Sequence, residues 1–122
     1  MEVLEYQGRN VYTSSYLDIQ VKDLDSSEAT TGRIEDAYFF ELGMNRSVQI
    51  EFNRKKVENG SSGLMIRVKG TLGTATVSIV GLQRIVDFMC DFDCIGKDLS
   101  TLKGREVRKY DSMRLLAGIS KV

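Results

Sequence analysis

The chain predicts an α+β fold, a mainly antiparallel sheet with one principal amphipathic helix packed on it, and three stretches carry that prediction. Gly63 to Lys69 alternates strictly, with Leu64, Ile66 and Val68 on one side and Met65, Arg67 and Lys69 on the other, the pattern of a half-buried strand. Thr74 to Val80 repeats it, with Ala75, Val77 and Ile79 inward and hydroxyls outward. After Gly81 the period changes: Leu82, Ile85, Val86, Met89 and Cys90 recur at helical spacing, so a helix over Leu82 to Phe92 should bury that stripe on the sheet.

The remaining elements follow from the same two periods. Val3 to Tyr6 and Val11 to Thr13 flank a glycine turn and read as a short hairpin. Tyr16 to Lys22 alternates with Leu17, Ile19 and Val21 on one face and is the cleanest strand of the first half. Asp23 to Gly32 is rich in Asp, Ser and Thr and reads as a surface loop tolerant of change. Arg33 to Leu42 suits either helix or strand, and the run Ala37-Tyr38-Phe39-Phe40 favours strand. Gly43 to Arg46 reads as a turn and Ser47 to Phe52 as a strand. Asn53 to Ser62 is a basic, glycine-bearing loop that opens on Arg54, Lys55 and Lys56. Thr71 to Gly73 joins the two central strands. Beyond the helix, Asp98 is placed to cap a short turn from Leu99 to Leu102. Arg105 to Tyr110 then reads as a strand, and Met113, Leu115, Ala117 and Ile119 as the inward face of a last one.

At 122 residues the chain fits one domain, long enough to bury a core without disulfides, and 42% apolar residues with five Tyr and five Phe set it apart from disordered sequences. No apolar run reaches the length of a membrane span, and Met1 to Glu5 lacks the pattern of a signal peptide, so a cytoplasmic setting is expected. Eleven acids and seven bases in residues 1–60, against six acids and ten bases in residues 61–122, make the halves −4 and +4. From Lys103 onward there are six bases and two acids, a basic tail that either pairs with the acidic half or faces an anionic partner.

The chemistry is read mostly by exclusion. There is no histidine, which removes the usual serine and cysteine triads and histidine-based metal sites. Cys90 and Cys94 make no disulfide framework and, without histidine, a poor zinc site; they read as structural thiols, with a redox pair or a partner contact as the alternatives. Asp91 to Gly96 begins like a calcium loop, but Ile95 stands where an oxygen ligand is needed and Leu102 where the bidentate glutamate should be. A magnesium held by Asp91 and Asp93 is the enzyme alternative. Asn59 to Gly63 lacks Walker spacing and a following helix, and it departs from the motif of PilZ cyclic-dinucleotide receptors, its glycine one residue early and the paired arginines missing. What survives is the basic tail: Arg105, Arg108, Lys109 and Arg114, with Tyr110 close by, and Arg54 and Lys55 on the basic loop. Guanidinium groups bind phosphate bidentately and tyrosine offers a stacking surface. Lysine and arginine on an edge strand also discourage aggregation, which is the plainer role for the same residues.

A short β-rich body, one amphipathic helix and then Asp98-Leu99-Ser100-Thr101-Leu102-Lys103-Gly104-Arg105-Glu106-Val107 leading into terminal strands resembles the layout of small accessory proteins encoded by phages and prophages, over about the last sixty residues. The resemblance implies a counter-defence or host-takeover role in the host cytoplasm. The expectation is therefore a non-catalytic binding protein, homo-oligomeric and without cofactors, that engages a host protein. A sponge for a nucleotide-like anion is the alternative, and nucleic acid is a weaker partner at zero net charge.

Overall fold

The computed structural model describes residues 3–15, 17–41, 62–112 and 115–122. The expected turn at Gly43 to Arg46, the strand Ser47 to Phe52 and the basic loop with Arg54 and Lys55 lie outside the described residues, as does Arg114.

Among the described residues, seven strands build one antiparallel sheet: β1 (Leu4–Tyr6), β2 (Arg9–Tyr12), β3 (Glu28–Glu41), β4 (Ser62–Gly70), β5 (Gly73–Val80), β6 (Glu106–Ser112) and β7 (Leu115–Lys121). Their order across the sheet is β1-β2-β7-β6-β3-β4-β5. The described residues also form two α-helices, α1 (Val21–Asp25) and α2 (Leu82–Asp91), and a 3-10 turn (Leu99–Leu102), and the fold is the α+β class that the sequence predicts. No helix among the described residues is long and apolar enough to cross a membrane.

The hairpins form where turn chemistry permits. Gln7 and Gly8 join β1 to β2 with both φ angles positive, at 51° and 74°, the left-handed pair that a two-residue hairpin with native twist requires. The long β4–β5 hairpin pairs Gly63 with Val80 through Gly70 with Gly73, so that Leu64, Ile66, Val68, Val77 and Ile79 bury completely on one face.

The sheet curls until its far strands meet. Thr13 to Ser15 run on from β2 and reach β5, where the Ser15 N–H donates to the Ser78 carbonyl at 2.7 Å and the Ser15 hydroxyl accepts from the Val80 N–H at 2.8 Å. Four strands separate β2 from β5 in the sheet, so these bonds fold one face inward. That enclosed face holds the main core, in which Tyr12, Ile34, Phe39, Val107, Leu116 and Ile119 surround α2 and the 3-10 turn. A smaller cluster of Val11, Leu24, Tyr110 and Ala117 lies on the opposite face under α1.

Helix α2 buries Ile85, Phe88 and Met89, with Phe92 just beyond its end, each contributing about 2 kcal/mol of apolar burial. The stripe is rotated from the expected one: Leu82 and Cys90 are exposed, Val86 is half-buried, and Phe88 is fully buried instead. Aromatic packing sets the rotation. Phe88 and Phe92 stack at 4.3 Å and Tyr12 meets Phe88 edge-on at 5.1 Å, so the largest rings define the buried side.

Two other expectations are corrected. Of the strand expected over Tyr16 to Lys22, the described residues from Leu17 on form none. Leu17 to Gln20 is irregular and α1 begins at Val21, because the Asp23 carboxylate accepts the Gln20 N–H at 2.8 Å and starts a helix where apolar alternation suggested extension. Asp23 to Gly32 is not a loop, since Asp23 and Leu24 belong to α1 and Glu28 onward is β3, paired residue by residue with β6 from Glu28–Asp111 to Arg33–Glu106. The β6–β7 pairing shifts register between Tyr110 and Asp111, which face Gly118 and Leu116; of the expected inward face Leu115 is exposed, Ala117 joins the smaller cluster, and Ile119 enters the main core with Leu116.

Candidate functional site

The described residues of the basic tail, Arg105, Arg108 and Lys109, take up separate positions. Arg105 precedes β6, donates from Nη1 to the Phe92 carbonyl and lies with its guanidinium carbon 5.8 Å from the Phe92 ring centre. It fastens the chain after α2 to the sheet and is spent on that task. Arg108 and Lys109 are neighbours in a strand and so point to opposite faces. Arg108 lies over Tyr110 at 5.8 Å on the outer face, as the tail reading expects of that pair, and its buried Nε has no hydrogen-bond partner.

Lys109 turns to the enclosed face and is only 9% exposed. Its stem crosses β3 and β4 where glycines leave room: a Cβ on Gly32 would come within 2.5 Å of the Lys109 Cδ, and one on Gly70 within 2.3 Å of its Nζ. The ammonium reaches Asp111 at 3.5 Å. This is a lysine that covers the end of the core with its methylenes and keeps its charge at the rim.

The acids after α2 are likewise engaged within the chain. The Tyr12 hydroxyl donates to Asp91 Oδ2 at 3.2 Å and to the Asp87 carbonyl at 3.1 Å, and burial followed by the Asp91 charge holds the Tyr12 phenol far above its ordinary value. Asp93 pairs with Lys97 at 3.3 Å, and Asp98 accepts the Ser100 N–H at 2.9 Å to cap the 3-10 turn, as the sequence predicts. No group of three acids or cysteines placed to hold a metal occurs among the described residues. Burial pushes the Cys94 thiol up to about 11, whereas Cys90 is exposed. Asp91 also lines a cleft of about 360 Å³ with Arg9, Asn10 and Lys121, between the β1–β2 turn and the end of β7.

No local sequence pattern singles out Arg84, in the first turn of α2. It is 3% exposed, and its guanidinium donates to the Thr13 carbonyl at 2.6 Å, to Thr13 Oγ1 at 3.3 Å and to the Ser15 hydroxyl. These acceptors are all neutral, and Nε has no partner. Desolvation by burial lowers its pKa from the ordinary value. Arg84 thus pins α2 to the segment that closes the curl, and no described carboxylate pairs with this buried cation.

A second structural feature is open rather than buried. β3 is paired on β6 over Glu28 to Arg33 and on β4 over Arg33 to Glu41. Its first half therefore overshoots the β4–β5 hairpin and presents one edge that no strand among the described residues pairs. Glu28, Ala29, Thr30 and Thr31 are all exposed there. The polar composition that suggested a loop is the composition of a strand with both faces in water. Known proteins add no further guidance: no family model, no curated protein and no solved structure matches this chain.

Proposed function

We propose that this chain is a non-catalytic binding protein that engages a protein partner by adding a strand of that partner to the open edge of β3. The observation that carries the reading is that Glu28 to Gly32 are paired on one side only among the described residues. An exposed edge offers a row of unpaired N–H and C=O groups, and strand addition uses main-chain hydrogen bonds for affinity. Proteins that avoid such pairing place lysine, proline or a bulge on the edge; Ala29-Thr30-Thr31 holds none of these. The resemblance of the sequence to small phage and prophage proteins is what supports a bacterial host protein as the partner and the host cytoplasm as the setting. The same edge can pair with that of a second copy about a two-fold axis, which is the route to a homo-oligomer.

Proline substitution tests this directly. Along a strand, successive N–H groups point to opposite sides, so of Thr30→Pro and Thr31→Pro one removes a bond to β6 and the other only an outward donor. The variant that keeps the wild-type Tm is the informative one. It should fail to capture from a bacterial lysate the protein that the wild type captures, and should elute as a monomer in size-exclusion chromatography if copies pair there. Unchanged capture by that variant contradicts the proposal.

A further inference from the structure

Pairing register assigns each side chain along the open edge of β3 to one face of the sheet, and the two faces differ in charge. Thr31 lies opposite Arg108, and Arg33 lies between Glu106 and Lys69, so Ala29, Thr31 and Arg33 face outward. Glu28 and Thr30, opposite Asp111 and Lys109, share the enclosed side. On the outward side three bases border the edge. Arg108 is one strand away across Thr31, and Arg33 and Lys69 stand directly opposite each other where the open stretch ends. Like charges so placed destabilise a sheet. None of the three forms an ion pair among the described residues: Lys69 is exposed, Arg108 lies over the Tyr110 ring, and Arg33 donates to the neutral Gly104 carbonyl at 3.1 Å.

The enclosed side is balanced differently. Lys109 pairs with Asp111 at 3.5 Å, the Thr30 hydroxyl donates to the same carboxylate at 3.4 Å, and Glu28 stands opposite it, two acids against one base. Strand β4 ends at Gly70, one residue past the Arg33–Lys69 pair, so a strand added along Glu28 to Thr31 continues the line of β4. An outward residue opposite Thr31 then stands about 6.8 Å along that line from Lys69 and about 10 Å across the sheet from Arg108, gaps that a carboxylate and a long cationic side chain close together. Ala29 and Thr31 are small and exposed and leave the way open. A second copy paired about a two-fold axis would bring its own Arg33, Lys69 and Arg108 to the same face, so charge favours a foreign acidic strand over self-pairing.

Given strand addition at β3, on which this rests, we propose that the added strand is acidic at alternate residues: an extended segment with Asp or Glu at its outward positions, beside Arg33, Lys69 and Arg108, and neutral or basic residues at its inward ones.

Three labelled peptides of equal length are titrated into the intact chain by fluorescence anisotropy: alternating Glu-Thr, alternating Lys-Thr, and the same Glu and Thr residues gathered into two blocks. The alternating acidic peptide should bind about tenfold more tightly than either of the others, and more weakly as salt rises from about 50 to about 500 mM. Arg33→Glu combined with Lys69→Glu, both at exposed sites, should abolish that preference. If the double variant does not fold, the three wild-type affinities decide alone. Equal binding of the acidic and basic peptides, equal binding of the alternating and block peptides, or no binding of the acidic peptide overturns the proposal. A chain that dimerises through this edge and excludes all three peptides overturns it too, with a second copy as the occupant. The Thr30→Pro or Thr31→Pro variant that keeps the wild-type Tm separates this proposal from strand addition itself. Acidic and basic peptides bound equally by the wild type and not at all by that variant leave strand addition standing without the acidic preference. Peptides bound alike by the wild type and that variant overturn both.

Discussion

From Arg33 to Glu41, β3 is paired with β4 and sends Ile34, Ala37 and Phe39 into the main core; from Glu28 to Gly32 the same strand is paired, among the described residues, with β6 alone, and its first four side chains are in water. One half is held by burial on the enclosed face, with hydrogen bonds as the ladder that sets register. The other is held by a ladder and little else. Burial at about 25 cal/mol per Å² rewards the first half and leaves the second with edge groups that gain by pairing elsewhere. A single strand thus carries both the stability of the fold and the surface through which we propose it acts.

The largest expected effect lies in the buried half. Phe39→Ala should cost about 3–5 kcal/mol, read as a fall in the urea midpoint, since Phe39 is 2% exposed in a core that cannot collapse fully onto the void. Thr30→Ala in the open half should change stability by about 0.5 kcal/mol or less. Equal costs would erase the distinction.

Next comes the phenol that joins β2 to α2. Tyr12→Phe removes the hydroxyl bonded to Asp91 and the Asp87 carbonyl and should cost about 1 kcal/mol. The pH dependence has a definite sign. The folded phenol is held above its ordinary value of 10.0, and burial raises the Cys94 thiol from 9.0 to about 11. Above pH 9 the unfolded chain releases protons that the folded chain keeps, so stability is fully present below pH 9 and is lost as pH climbs through 9 to 11 and beyond. Cys94→Ala should flatten the first part of that loss and Tyr12→Phe the later part, both measured as urea midpoints against pH.

Thiol access repeats the contrast chemically. At neutral pH the native chain should react with an aromatic disulfide reagent at exposed Cys90 and not at buried Cys94, with the second thiol appearing only on unfolding. The smallest effect belongs to Leu72 at the tip of the β4–β5 hairpin, which is 102% exposed; Leu72→Ser should leave the urea midpoint within about 0.5 kcal/mol of wild type.

Where one face of an element is buried and its period is regular, the sequence is readable. β4, β5, α2 and the Asp98 cap follow directly from Leu64 to Val68, Val77 to Ile79, the change of spacing after Gly81 and an acid two residues before a free N–H. Where neither face or both faces are buried, period carries no information. Glu28 to Thr31 has water on both sides and reads as a loop, and Leu116 to Ser120 is buried throughout, so alternation finds Ala117 and Ile119 but misses Leu116 and misplaces Leu115. Leu17, Ile19 and Val21 alternate without a strand because a local carboxylate cap at Asp23 outcompetes extension. The candidate site was least legible. No local pattern says that Arg84 is buried, or that Gly32 and Gly70 clear a channel for Lys109; both depend on strands distant in sequence meeting in space.

Residue-resolved amide hydrogen exchange of the chain by itself tests the open edge most directly. Amides of Ile34, Ala37 and Phe39 should be slow, while within Glu28 to Gly32 slow and fast amides should alternate, the fast ones pointing away from β6. Uniformly slow exchange from Glu28 to Gly32 would mean that this edge is already covered, and would contradict a strand-addition surface there.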